Sequence, residues 1–177
     1  MGKVDNSNGR VLIVMGSDSD WPQVAEAVTV LNEFGVRSES RVLSAHRTPD
    51  KAIQAARDAE KDGFGVIIAA AGGAAHLPGV LAANTILPVI GIPVKGGSLN
   101  GMDALLSIVQ MPSGIPVATV TLGSAGPVNA AILAVQILAT RNKALKAKLR
   151  KYKGELAEKV GKADRKVREE SSKLTGK

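Results

Sequence analysis

The 177-residue chain has no cysteine, four aromatic residues, two histidines and no long apolar run. Without cysteine there can be no disulfide, thiol nucleophile, thiolate-held zinc or iron–sulfur cluster. Trp21, Phe34, Phe64 and Tyr152 are the whole aromatic complement, which leaves no platform for stacking nucleic-acid bases. His46 and His76, with no carboxylate cluster beyond Asp18 and Asp20, make a poor donor set, and no metal is expected. No stretch reaches the roughly 18–20 apolar residues of a membrane span. The polar start MGKVDNSNGR lacks the apolar core of a signal peptide, and Asn6 stands where myristoylation needs Ser or Thr. These absences point to a soluble protein of the cytoplasm.

Several sequence devices are missing as well. There is no G-x-x-x-x-G-K-[ST] phosphate loop, G-x-G-x-x-G fingerprint, H-E-x-x-H or G-x-S-x-G. The net charge of +7 is unevenly spread. Residues 1–140 carry 9 Lys/Arg against 11 Asp/Glu, whereas residues 141–177 carry 14 against 5. Basicity confined to a tail reads as a solvated charged helix before it reads as a nucleic-acid surface.

What is present is a core. Hydrophobic residues make up 45% of the chain and charged residues 22%, a composition that excludes disorder and suits one domain. Val11 to Met15, Gly65 to Ala71 and Leu87 to Ile92 are short apolar runs of the kind that form buried strands. Val36 to Leu43 alternates charged with smaller residues and reads as an edge strand, and Val117 to Leu122 as a fifth. Between them lie helical patterns. Val24, Ala27, Val28 and Leu31 follow the caps Ser17 to Asp20 and stop at Gly35. Thr48 and Pro49 open a second helix, which Gly63 ends. Further helices are predicted over Leu77–Thr85, Met102–Gln110 and Pro127–Thr140.

Strands alternating with helices predict a three-layer αβα fold with a parallel five-stranded sheet. Right-handed crossovers favour the flavodoxin-like strand order 2-1-3-4-5. The domain reading is a polar N-terminal extension (1–10), one catalytic domain (11–140) and a basic helical tail (141–177). Leu145, Leu149, Tyr152, Leu156, Val160, Ala163 and Val167 form a helical stripe in that tail. Gly154 and Gly161 each cost about 1 kcal/mol there, so one or two helices are expected, frayed toward Lys177. The chain also has 25 Ala and 19 Gly. Ala130, Ala131, Ala134 and Ala139 suit either a subunit interface or close packing on the sheet.

In such sheets ligands bind beyond the carboxyl ends of the strands, and the polar motifs fall there. After the first strand comes Gly16-Ser17-Asp18-Ser19-Asp20. Its hydroxyls and helix-start N–H groups suit an anion, and its carboxylates suit sugar hydroxyls. After the second comes Ser44-Ala45-His46-Arg47-Thr48-Pro49, joining a group that titrates near neutrality to an always-charged fork that matches phosphate. After the third comes Gly72-Gly73-Ala74-Ala75-His76-Leu77-Pro78-Gly79, where glycines let backbone lie directly against a ligand. Each has a structural reading too: helix capping for the serines, bracing for the histidines.

Together GSDSDW, SAHRTP and AGGAAHLPG, followed by Ser107-Ile108-Val109-Gln110-Met111-Pro112 and Gly114-Ile115-Pro116, resemble the 5-(carboxyamino)imidazole ribonucleotide mutases of purine biosynthesis. The resemblance runs from about Val11 to Ala139. It implies carboxyl transfer from the exocyclic nitrogen of an aminoimidazole ribonucleotide to a ring carbon, with no metal and no organic cofactor. It implies His46 as general acid/base, Asp20 on ribose hydroxyls, Arg47 on phosphate, and Ser17, Ser19, Ser44 and Ala45 as further substrate contacts. Gly72, Gly73, Ala74, Ala75, His76 and Leu77 would hold the migrating carboxyl group, with His76 either touching it or bracing the loop. A homo-octamer is implied as well, whereas no membrane or nucleic-acid partner is. Two other readings are a carboxylase that uses carbon dioxide directly and, more distantly, a flavodoxin-like binding or signalling module. Against flavin, the first loop has only Trp21; against phosphoryl acceptance, no aspartate follows the third strand.

Overall fold

In a computed structural model, residues 9–175 are described. Most of the predicted N-terminal extension, residues 1–8, and the tail's last two residues lie outside them. The strands are β1 (Arg10–Met15), β2 (Arg37–Val42), β3 (Phe64–Ala71), β4 (Val89–Pro93) and β5 (Ala118–Thr119). The α-helices are α1 (Trp21–Glu33), α2 (Pro49–Asp58), α3 (His76–Ala82), α4 (Met102–Val109), α5 (Ala125–Ala139) and α6 (Lys143–Leu174). A 3-10 turn, Asp18–Asp20, leads into α1.

The sheet is parallel throughout, in the order β2-β1-β3-β4-β5, as expected. Its central strands are buried on both faces, so alternate residues serve two cores. Val11, Ile13, Met15, Val66, Ile68 and Ala70 face α1, α5 and the start of α6. Leu12, Val14, Ile67, Ala69 and Ala71 face α2, α3 and α4. Each fully buried Leu or Ile contributes about 1.5–3 kcal/mol. At the edge, β2 is mostly exposed, and Arg10 ties it to the sheet by an ion pair with Glu39 at 3.0 Å.

The fifth strand differs from its predicted form, whereas the alanine-rich helix and the tail each take one of their two expected forms. The fifth strand is two residues long, pairing Ala118 with Ile90 and Thr119 with Gly91. Beyond Val120 the chain turns through Gly123 (φ +80°) into α5, whose Gly126 lies against the Thr121 carbonyl. An edge strand has no second neighbour to hold it flat, so the turn wins. Ala130, Ala131, Ala134 and Ala139 are buried within the chain, so close intrachain packing accounts for them. The tail is one continuous 32-residue helix. Asn142 caps it by accepting from Leu145 N at 3.0 Å. Leu145 is buried, with Leu149 and Tyr152 packed on the same core. Lys148 Nζ donates to the Phe34 carbonyl at 2.6 Å, and Tyr152 meets the Phe34 ring edge-on. These contacts, with helical spacing either side, outweigh the two glycines. Among the described residues no helix is long and apolar enough to cross a membrane.

The close approach of α4 to the sheet depends on Gly91, where a Cβ would stand 2.5 Å from Ile108 Cγ2 and 3.0 Å from Val117 Cγ1. Gly91→Ala is therefore expected to lower the unfolding free energy by about 1–3 kcal/mol, read from the midpoint of urea denaturation.

Candidate active site

Because β1, β2 and β3 are parallel and in register, Met15 stands opposite both Val42 and Ala70. Their carboxyl ends therefore release three loops side by side. In the first, Ser17 and Asp20 close a reciprocal capping box. The Ser17 N–H donates to Asp20 Oδ2 at 3.1 Å, and the Ser17 hydroxyl donates to Asp18 Oδ1 at 3.1 Å. Ser19 Oγ donates to Ser17 Oγ at 2.8 Å. Asp20 is half-buried, and burial pushes its carboxyl above the ordinary 3.8, against the opposing pull of the Ser17 and Gly16 N–H groups and Arg47.

The second loop is gathered around Ser44. Its Oγ accepts from His46 N at 3.3 Å and from Arg47 N at 3.1 Å. Thr48 occupies the cap position of α2, but its side chain turns back into the loop, accepting from Ser44 N at 2.9 Å. Arg47 Nη2 donates to the Gly16 carbonyl at 2.7 Å, fastening the second loop to the first. The Arg47 Nε also reaches Ser44 Oγ at 3.5 Å, and the side chain lines the cleft.

The third loop turns sharply. Gly73 has φ +62° and Ala75 φ +46°. For alanine that left-handed backbone costs about 1–2 kcal/mol, and it is held by a 3.1 Å bond from Ala75 N to the Gly72 carbonyl and by burial of the methyl group. The turn aims His76, the first residue of α3, back across the cleft. His46 Nε2 and His76 Nδ1 stand 2.6 Å apart, with rings edge-to-face at 84°. One nitrogen must donate and the other accept.

The result is a cleft of about 390 Å³ lined by Gly16, Asp20, Ser44, Ala45, His46, Arg47, Ala71, Gly72, Ala75, His76 and Leu77. Nine of these were candidates from sequence. Gly16 and Ala71 were not, although each ends or follows a predicted strand at the ligand side. Ser17, Ser19, Gly73 and Ala74 are in the same loops but do not line the cleft. A wider cavity of about 840 Å³ opens between the starts of α1 and α5 and contains neither histidine. At its rim Gln23 donates to the Lys95 carbonyl at 3.0 Å and accepts from Lys95 N at 2.9 Å. Among the described residues, no three His, Asp or Glu side chains group as metal ligands.

Residues 10–159 match the family model described as AIR carboxylase. The chain belongs to the AIR carboxylase family. Within that family it is 53% identical over 166 residues to the N5-carboxyaminoimidazole ribonucleotide mutase of Mycobacterium tuberculosis, covering 94% of each chain. The enzyme of the same name from Pyrococcus horikoshii is 57% identical over 148 residues, 84% of this chain and 82% of that one. A crystal structure of Treponema denticola PurE superposes with a TM-score of 0.80 at 30% identity, over 88% of this chain and 96% of that one.

Since the Asp20 carboxyl is pushed upward, the folded protein binds its proton more tightly than the unfolded chain does. The stability this contributes is present below pH 3.8 and is lost as the pH rises through the raised value. Asp20→Asn keeps an acceptor for the Ser17 N–H and lacks the titration. Urea denaturation at a series of pH values is expected to show the parent losing stability relative to Asp20→Asn across that interval.

Proposed function

We propose that this member of the AIR carboxylase family is an N5-carboxyaminoimidazole ribonucleotide mutase, an isomerase of purine biosynthesis. It moves a carboxyl group from the exocyclic nitrogen to C4 of the ring. The names of its relatives at 51–58% identity support the reading. What supports it in the molecule is the meeting of His46, His76, Arg47 and the Gly72 backbone in one small cleft.

In the proposed reaction His46 supplies a proton to the carboxylated nitrogen. The N–C bond breaks, its electrons stay on nitrogen and carbon dioxide departs. The electron-rich C4 then attacks carbon dioxide, and the C–C bond forms at a carbon that still bears hydrogen. His46 removes that proton and aromaticity returns, so one imidazole gives and recovers one proton. Substrate entering the cleft exchanges the His46–His76 hydrogen bond for one to its own nitrogen. Gly72 and Gly73 N–H groups receive the carboxylate without side-chain bulk, beside the apolar Ala71, Ala75 and Leu77. That apolar side of the cleft disfavours water beside the carbon dioxide.

Asp20 takes the ribose hydroxyls and Arg47 the phosphate, with Ser17, Ser19, Ser44 and Ala45 completing that end and Ala74 the carboxyl loop. Neither a metal nor an organic cofactor takes part. Residues 11–140 carry the chemistry, after a polar extension of residues 1–10 and before a basic tail of residues 141–177. The protein works in the cytoplasm as a homo-octamer. Leu99, Met102, Leu106 and Val109, each about half exposed or more, give the single chain an apolar surface suited to assembly.

The test is conversion of N5-carboxyaminoimidazole ribonucleotide without added bicarbonate, followed by product absorbance. Turnover only of aminoimidazole ribonucleotide with bicarbonate would make the protein a direct carboxylase instead. His46→Asn is expected to retain ribonucleotide affinity and to lose turnover by at least ~10²-fold; equal losses of both would make His46 a positioning group. Arg47→Ala is expected to raise KM far more than it lowers kcat, and steady-state kinetics separate the two.

A further inference from the structure

Thr48 has no role in the reaction proposed above. It does not line the cleft, and its place in the chain is that of a helix cap. The geometry denies it that use, because its side chain bonds no N–H in the first turn of α2. A threonine hydroxyl at a cap ordinarily accepts from the second or third helical N–H, and the helix is less stable without it. Pro49 explains how the hydroxyl comes free. A residue before proline is held out of the helical region, and Thr48 accordingly has φ −139° and ψ 53°. Pro49 fills the first helical position with its preset φ. Asp50 adds a carboxylate to the first turn, which suits the helix dipole.

The freed hydroxyl turns to Ser44. Thr48 Oγ1 accepts from Ser44 N at 2.9 Å and donates to the Ser44 carbonyl at 3.2 Å. Thr48 N donates to the same carbonyl at 3.0 Å. These bonds close residues 44–48 into a loop pinned at its root. Inside it the Ser44 hydroxyl accepts from His46 N and Arg47 N. The N–H groups of Ser44, His46, Arg47 and Thr48 are thus all bonded within the loop. Ser44 and Thr48 are half-buried, whereas His46 and Arg47 are exposed. Few χ1 angles are open to a β-branched side chain, so the clasp is stiff.

We propose that Thr48 is a positioning residue of the active site. Its hydroxyl fixes the Ser44 backbone, and through the Ser44 hydroxyl it sets how His46 meets His76 and how Arg47 reaches the first loop. The kinetic consequence rests on the mutase reading; the geometric one does not. Without the Thr48 hydroxyl the root of the loop loosens, and the histidine and the arginine lose their alignment together. A misplacement of an ångström can cost ~10²-fold in rate.

Thr48→Val keeps the branched shape and removes both hydroxyl bonds, whereas Thr48→Ser keeps the hydroxyl. In steady-state kinetics Thr48→Val is expected to lose kcat by ~10-fold or more and to raise KM for the ribonucleotide. Thr48→Ser is expected to stay near the parent in both. The second readout needs no turnover. The chain has two histidines, so solid-state 15N spectra of untagged, histidine-labelled, ligand-free protein report the His46–His76 pair alone. In alkaline buffer, where an ordinary imidazole is neutral, N–H···N coupling is expected in the parent and Thr48→Ser and lost in Thr48→Val. Thr48→Ala gives the same comparison if the valine variant does not fold. Parental kinetics and coupling in Thr48→Val overturn the proposal. So does a serine variant as impaired as the valine one, a valine variant that loses turnover with the pair intact, or a parent without the coupling. A parent that does not isomerise the ribonucleotide removes the mutase reading, and the spectra then decide the positioning role by themselves.

Discussion

The Arg47 guanidinium reaches the Gly16 carbonyl, 31 residues away in sequence, only because β1 and β2 lie parallel with Met15 beside Val42. This one bond spans two strand ends and decides where the second loop sits. Once it is made, the Ser44 hydroxyl can collect the His46 and Arg47 N–H groups. The His46 backbone is thereby fixed, with its ring directed at the third loop. The same guanidinium lies near Asp20 and partly offsets the burial that raises its carboxyl. Position and charge in the cleft thus share a cause, the registration of two strands.

The other half of the cleft depends on a backbone that alanine does not prefer. A left-handed residue at Ala75, four residues after β3 ends, turns the chain and starts α3 at His76. The strain is small compared with the burial of β3 and α3 against one core, so the fold carries it. The consequence is chemical. Two imidazoles thirty residues apart come to share one hydrogen, each on a separate rigid support.

Much of this was legible in the residues. Apolar runs as continuous as Val11–Met15 and Gly65–Ala71 can hardly be anything but buried parallel strands, and the strand order follows from crossover handedness. The three polar motifs were placed by the rule that parallel strands deliver ligands to their carboxyl ends. The His46–His76 contact was not legible, because it depends on the torsion of Ala75 and not on either histidine's neighbours. Nor was the Arg47 bond to a main-chain carbonyl, since a guanidinium beside a helix start reads equally as a phosphate group's partner. The shortness of the fifth strand is not legible in Val117–Leu122, because those residues cannot reveal that one side lacks a neighbour. One helix or two is not legible in the tail, because glycine cost alone cannot be weighed against contacts to Phe34 from a distant element.

Gln23 carries a consequence of its own. Its side-chain amide meets the Lys95 peptide with both donor and acceptor, as another strand would. It acts as a single surrogate rung just past the end of β4, clipped on by a helix. The chain therefore leaves the sheet with the Lys95 peptide held at both its donor and its acceptor before the glycine pair Gly96-Gly97. Glutamate at this position could still accept from the Lys95 N–H but has no proton to offer the carbonyl, so the acid would keep one half of that rung and lose the other.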